Sequence, residues 1–442
     1  MTRDAYDLMT STDSAEAMRS FENAVYALAA HRPTAGAAIQ AALAADHDHV
    51  AAHALKGFAN LILARSELAT NATAALAGAR ASLVRKGGGT NDERILVDAL
   101  AAAADGSFAR SADILDGGFA DRATAFLPFK ISHALRFMLG DASGMLAAST
   151  RAVDGLSRKS PSAGFVLGCH AFSLEEHGRY DEAMETGQVA VSLQPEDSWG
   201  LHAVSHVFEM RGETTQGIEW LESSRDAWSH CNNFSFHMAW HLGLLHLERG
   251  DHDRVLEVYD DEVRPQQTDD FRDMANAVSL LWRLEQSGVH VGDRWKELAE
   301  IAYGRRTDTT LVFAALHNLA AMVAVGDDVG AAELVASIEA KASGTDDQAR
   351  VAAEVGLPVA HVLTGMGTPA DKRMLDRMVT NLPKIGGSNA QRDFFVLALA
   401  RAAAARGNDV AVSSIANIRQ RLKTEDRLFQ SVRRSAGFHP QI

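Results

Sequence analysis

The sequence predicts an all-α chain built from stacked helix hairpins. Three observations carry this: alanine-rich stretches whose apolar residues recur at three-four spacing, glycine or glycine-aspartate turns that stop them, and the lack of alternating β-branched runs. Helical stretches are expected over Ala51 to Leu68, Asn91 to Ala104, Ala125 to Leu139, Ala331 to Ala342 and Phe394 to Ala405. Apolar side chains three and four apart share one helix face, so each stretch needs a neighbour to cover it. Among nine prolines, Pro33, Pro161, Pro195 and Pro358 fall where helices are expected to start or end, positions at which a missing N–H costs little.

The turns repeat with a signature. Between Gly168 and Pro195, a small residue (Ala171), a turn glycine (Gly178) followed by Tyr180, then Ala183, Ala190 and Pro195 match the offsets of the roughly 34-residue tetratricopeptide repeat. Further turns fall on Gly212, Gly250, Gly326 and Gly407, with Gly106 and Gly140 as weaker copies. Gly178, Gly212 and Gly250 are 34 and 38 residues apart. Such hairpins bury their apolar faces only against neighbouring repeats, so the expected architecture is tetratricopeptide-type hairpins stacked into a right-handed superhelix, a solenoid with a concave inner face. The whole chain, 1–442, then reads as one helical-repeat domain. Divergent N-terminal repeats occupy 1–160, clear central repeats 161–265, and C-terminal repeats that close the groove 266–442.

Composition narrows the partners. A net charge of −14 and a pI near 5.7 exclude nucleic acid, because phosphate binding needs clustered Lys and Arg. No stretch of about 18 uncharged apolar residues occurs and the N-terminus has no basic start before an apolar core, so no membrane association and a cytoplasmic location are expected. Cys169 and Cys231 are too few for a disulfide framework and lack the spacing of a thiolate metal site; Cys169 reads as a small buried residue. Terminal repeats without clear polar caps point to a homodimer.

Seven of the eighteen histidines lie between His170 and His241, and four form two pairs: His202-x-x-x-His206 and His237-x-x-Trp240-His241. Residues four apart sit one above the other on a helix, so each pair presents two imidazoles to one point. In the repeat frame His202, His206, Glu209, His237 and His241 fall on the inward face of adjacent first helices. His170 lies at the groove wall, and His317 approaches from a later repeat. Two kinds of chemistry fit. His202, His206, His237 and His241 supply enough donors for a divalent Zn, Fe or Mn centre, although neither the metalloprotease nor the di-iron spacing is matched. Without metal, His206 and His241 with Glu209 are the catalytic acid-base candidates, and His170, His202, His237, Trp240 and His317 are ligand-binding candidates. A structural network of stacked imidazoles is the third reading.

The block Asp197-Ser-Trp199 to His202-x-x-x-His206-Val-Phe-Glu209-Met, followed by His237-x-x-Trp240-His241 and Glu248-x-Gly250, resembles the tetratricopeptide repeat protein 38 family of bacteria and animals. Phe21 in the opening Ser-Phe-Glu-Asn-Ala, His53, Trp282, Trp295, the His317 helix and Gln391-Arg392-Asp393-Phe-Phe395 fit the same likeness, which therefore spans essentially the whole chain. The resemblance implies a helical-repeat fold and carries no activity with it. Function divides into two classes. In one, the groove is a pocket that binds, and acts chemically on, a small molecule through the histidines. In the other, the protein is a non-catalytic scaffold for a peptide or protein partner. Peptide grooves usually hold Lys, Arg and Asn where this chain has His, which favours the small molecule. Arg392-Asp393 near a helix start has, as one alternative, the role of capping a helix and holding the C-terminal repeats against the groove.

Overall fold

A computed structural model describes residues 1–365, 372–423 and 426–430. It begins with a two-residue antiparallel ribbon, β1 (Thr2–Arg3) and β2 (Met9–Thr10), in register Thr2 to Thr10 and Arg3 to Met9. Among the described residues every later regular element is helical. Helices pair in sequence as α1 (Ala15–Ala29) with α2 (Ala35–Ala45), α3 (Val50–Ile62) with α4 (Ala69–Arg85), α5 (Asn91–Ala104) with α6 (Phe108–Gly118), α7 (Phe126–Met138) with α8 (Ala142–Asp154), and α9 (Ala163–Glu175) with α10 (Tyr180–Leu193). The chain continues through α11 (Ser198–Arg211), α12 (Thr214–Ser223), the single turn α13 (Arg225–Trp228), α14 (Phe234–Arg249), α15 (His252–Val258), α16 (Phe271–Gln286) and α17 (Arg294–Gly304). It ends with α18 (Val312–Val325), α19 (Asp328–Ala342), α20 (Asp347–Val351), α21 (Leu357–Leu363), α22 (Lys372–Asn381), α23 (Asn389–Ala404) and α24 (Asp409–Leu422). The fold is all-α, made of helix hairpins, as the periodicity predicts. Among the described residues no helix is long and apolar enough to cross a membrane.

The expected turns are where the hairpins bend. Gly106, Gly140, Gly178, Gly212, Gly250, Gly326 and Gly407 all have positive φ, between 64° and 83°. At Gly326 this left-handed residue lets its own N–H close on Met322 and Val323 carbonyls, ending α18 one residue before Asp327 caps α19. Two hairpins escaped the sequence pattern because a side chain occupies the left-handed position: His31 (φ 53°) between α1 and α2, and Ala64 (φ 50°) between α3 and α4. The second corrects the single helix expected over Ala51 to Leu68. It breaks after Ile62, where no glycine or proline signals a stop.

The other stretches land close to expectation. Asn91 to Ala104 is α5, opened by a Thr90–Glu93 capping box; α7 covers Phe126–Met138. The last two start earlier than apolar periodicity indicates, because polar caps set their beginnings: Asp327 for α19, and a Ser388–Gln391 capping box for α23. Arg392 and Asp393 are therefore not the cap. Arg392 donates to the Gly387 carbonyl and to Asn389 Oδ1, while Asp393 pairs with Arg419 and lies 3.7 Å from Arg283 Nη2. Asp260 to Glu262 lie in one helical turn extending α15, with Asp260 paired to Arg294 and Glu262 to Arg225.

The chain divides into two compact units, Met1–Val204 with Asp226–Phe234, and Ser205–Arg225 with Ser235–Ile442. In the first, Phe21, Phe58, Phe126, Phe165 and Leu100 are buried in one continuous apolar core. In the second, α16 packs on α18 and α23, burying Leu280, Leu284, Leu316, Phe394 and Phe395.

Candidate histidine site

Three helices build the site in the second unit. α11 carries His206 and Glu209 one turn apart, α14 carries His237, Trp240 and His241 on one face, and α16 carries Asn276, Ser279 and Arg283 at three-four spacing. All of these side chains are buried. Polar residues at such depth are retained only with partners, because an unpaired buried polar group costs about 1–3 kcal/mol.

A hydrogen-bonded chain runs through them. Glu209 Oε2 lies 3.1 Å from His241 Nδ1, His241 Nε2 lies 3.3 Å from His237 Nε2, and His237 Nδ1 lies 2.9 Å from Asn276 Oδ1. The His206 ring centre is 4.5 Å from that of His241. Trp240 stacks on His237 at 5.2 Å with an interplanar angle of 17°, meets His241 edge-on at 4.8 Å, and donates its Nε1–H to Ser279 Oγ at 3.1 Å. Arg283 sits 5.8 Å from the Trp240 ring centre and donates to the Ser279 and Ala390 carbonyls, tying the wall of the site to α23.

Electrostatics keep the imidazoles neutral. Burial holds His237 and His241 well below the ordinary histidine value; His241 adds to this for His237, and His206 and Arg283 add to it for His241. A carboxylate only accepts, so His241 carries its proton on Nδ1, toward Glu209. Asn276 stands in the equivalent place behind His237, its side-chain amide hydrogen-bonded to Nδ1. The two Nε2 atoms face each other.

The residues chosen from sequence divide by place. His206, Glu209, His237, Trp240 and His241 come together in the second unit. Trp240 is fully buried, so its indole is a packed wall of the site. His317, in the same unit, donates from Nδ1 to the Phe313 carbonyl at 2.8 Å and is enclosed by Phe313, Phe394 and Phe395. In the first unit His202, one turn before His206 on α11, stacks on Phe172 at 5.7 Å and touches Trp199 and Phe234; His170 Nδ1 is 3.0 Å from Ser149 Oγ. Asn276, Ser279 and Arg283 were not singled out from sequence. Their own signal, three polar residues on one face of an apolar helix, is legible in α16 once that helix is known to be buried.

The first unit has buried titratable groups of its own. Lys130 Nζ lies 3.6 Å from Cys169 Sγ and 5.2 Å from the Trp199 ring centre. Burial pushes the Cys169 thiol up to about 11 and Asp197 up to about 7, the latter opposed by Lys130 and by the backbone N–H groups of Gly200 and Trp199. Burial and then the Lys130 charge pull His133 down to about 3. Cys169 is thus the inert, packed thiol expected.

Fold and site together define a helix-hairpin repeat protein with a buried histidine cluster. No known family model matches the chain. It is similar to a solved tetratricopeptide repeat protein from Parabacteroides merdae, at 11% identity over 66% of this chain and 98% of that one, with a TM-score of 0.33. It is also similar to a chain of the Naa15/Naa10 complex bound to HypK-THB, at 12% identity over 93% of this chain and 64% of that one, with a TM-score of 0.26.

Proposed function

We propose that the chain is a bacterial, cytoplasmic member of the tetratricopeptide repeat protein 38 family whose second unit binds a small molecule and acts on it by proton transfer. The observation that carries this is the chain Glu209–His241–His237–Asn276. It sets two buried imidazoles with their Nε2 atoms facing each other at 3.3 Å, with Glu209 and Asn276 behind them. Imidazole nitrogens of this kind bind a group that brings a positive centre: an N–H, an O–H or a cation. Glu209 orients His241 and would stabilise its imidazolium, so His241 Nε2 is the general base. His206 is the next titratable group beside it, and His237 with Trp240 shapes the wall. A protein-binding groove has no need of this arrangement.

Native mass spectrometry of protein produced without a histidine tag tests the proposal. The folded wild type should carry a substoichiometric or stoichiometric organic mass excess that disappears on unfolding and in His241→Gln. A folded wild type at its bare mass, unchanged by His241→Gln, would refute the small-molecule reading.

A further inference from the structure

We infer that the first unit holds a binding site of its own for a small organic carboxylate. Lys130 pairs with the carboxylate charge, His133 and the Trp199 indole donate to its oxygens, and the Phe137 and Phe172 rings enclose its apolar body. This site does not depend on the chemistry read into the second unit.

The first helices of successive hairpins supply the groups. On α7, Lys130, His133 and Phe137 fall at three-four spacing and share one face. Cys169 and Phe172 do the same on α9, and Asp197 and Trp199 stand where the chain enters α11. Trp199 is the centre of the cluster. Its ring centre lies 6.1 Å from that of His133, 5.8 Å from Phe137 and 4.8 Å from Phe172, and Lys130 Nζ sits over it at 5.2 Å. Phe137 and Trp199 are half-buried and form the rim, whereas Lys130 and His133 are buried.

Charge and hydrogen bonding select the ligand. A buried ammonium is costly unless an anion meets it. Among the described residues Lys130 Nζ has the Cys169 thiol at 3.6 Å and the face of Trp199, both weak partners for a full charge. Asp197 senses that charge but makes no ion pair with it. Its carboxylate is wedged against Gly168 and Gly200, where an added Cβ would collide with Oδ2, and it serves the first backbone N–H groups of α11. Both ring nitrogens of His133 and Nε1 of Trp199 are buried with no hydrogen-bond partner among the described residues. A neutral imidazole always has one N–H to give, so Lys130, His133 and Trp199 are three donors gathered at one indole. An acceptor that is also an anion satisfies all of them, and a carboxylate does so with two oxygens and one charge. Phosphate fits worse, because a single cation would face a dianion with Asp197 close by. The remaining wall is aromatic, with His202 stacked on Phe172 at 5.7 Å, which favours a carboxylate carrying an apolar body.

Calorimetric titration of the folded full-length protein with benzoate, phenylacetate and hexanoate tests the site, with benzamide and inorganic phosphate as controls. At least one of the carboxylates should bind once per chain, and both controls should bind about 10-fold more weakly or worse, the factor a hydrogen bond to a charged group supplies. In protein carrying isotope-labelled tryptophan, the indole N–H resonance that is missing from Trp199→Phe should move on saturation, which locates the ligand. Lys130→Met removes the charge at nearly constant volume and should weaken binding about 10- to 100-fold; His133→Phe should weaken it about 3- to 10-fold. His241→Gln, which probes the second unit, should bind the carboxylate as the wild type does. Folded wild type that takes up none of the carboxylates, benzamide bound as tightly as benzoate, or saturation that leaves the Trp199 resonance in place overturns the site. A folded Lys130→Met protein of wild-type affinity overturns it equally, and the wild-type measurements decide the matter if that variant does not fold.

Discussion

A single histidine can be structural, catalytic or a ligand, and here the hydrogen-bond partner of its far nitrogen decides. His241 has Glu209 behind it and His237 has Asn276, so the two rings turn their Nε2 atoms toward each other; His317 spends its Nδ1–H on its own helix. His133 is different again, with no partner for either ring nitrogen among the described residues. Burial holds it at about 3 against an ordinary value of about 6.5. The folded protein therefore keeps His133 neutral while the unfolded chain takes up a proton as pH falls below about 6.5. The stability it contributes is present above that pH and is lost as pH drops toward about 3. Between pH 7 and pH 5 the wild type should lose about 2 kcal/mol more than His133→Phe, read from urea unfolding at both pH values. Equal losses in the two proteins would contradict the assignment.

At the level of the element, the hairpin turn is the repeating device. At Gly178 and Gly326 an added Cβ would meet nothing within 4 Å, so substitution there tests backbone conformation alone. Gly178→Ala and Gly326→Ala should each destabilise the fold by about 1 kcal/mol, measured by chemical denaturation, through the cost of a left-handed residue carrying Cβ. No loss at either position would mean that the turn adjusts freely. The same turns show how far local signals reach. A glycine at a helix stop is legible in sequence because no other residue takes positive φ so cheaply, and all seven turn glycines identified this way bend hairpins. His31 and Ala64 do the same work invisibly, since packing of α1 on α2 and of α3 on α4 imposes a conformation that their residue types do not advertise. Helix starts followed the same division: Ser388 and Asp327 lie outside the apolar pattern, and their side-chain bonds to backbone N–H groups place the first turn.

Across the molecule, buried charge ties distant segments of the second unit together. Asp393 on α23 pairs with Arg419 on α24 and lies 3.7 Å from Arg283 on α16, and Lys423 Nζ is 2.6 Å from Glu248 at the end of α14. Arg283 and Arg419 are almost wholly enclosed, so removing their shared carboxylate takes the nearest counter-charge from Arg283 and leaves Arg419 with Asp426 alone. Asp393→Asn should cost about 3 kcal/mol or more. Hydrogen exchange should speed up in α16, α23 and α24 and stay unchanged in α1 to α6. Uniform loosening of the whole chain, or none, would refute this placement of the charge network.

Sequence by itself determined the helices, their hairpin order, most of their turns and the residues able to do chemistry. Those are properties of short range: a period of three to four residues, a positive φ, two imidazoles four positions apart. Tertiary structure alone decided which of those residues meet. Glu209 reaches His241 across 32 positions and Asn276 reaches His237 across 39, bonds of about 3 Å whose existence depends on how three helices pack. Periodicity places a side chain on a face. Only packing decides which partner stands behind each ring, and that choice turns His237 and His241 toward each other.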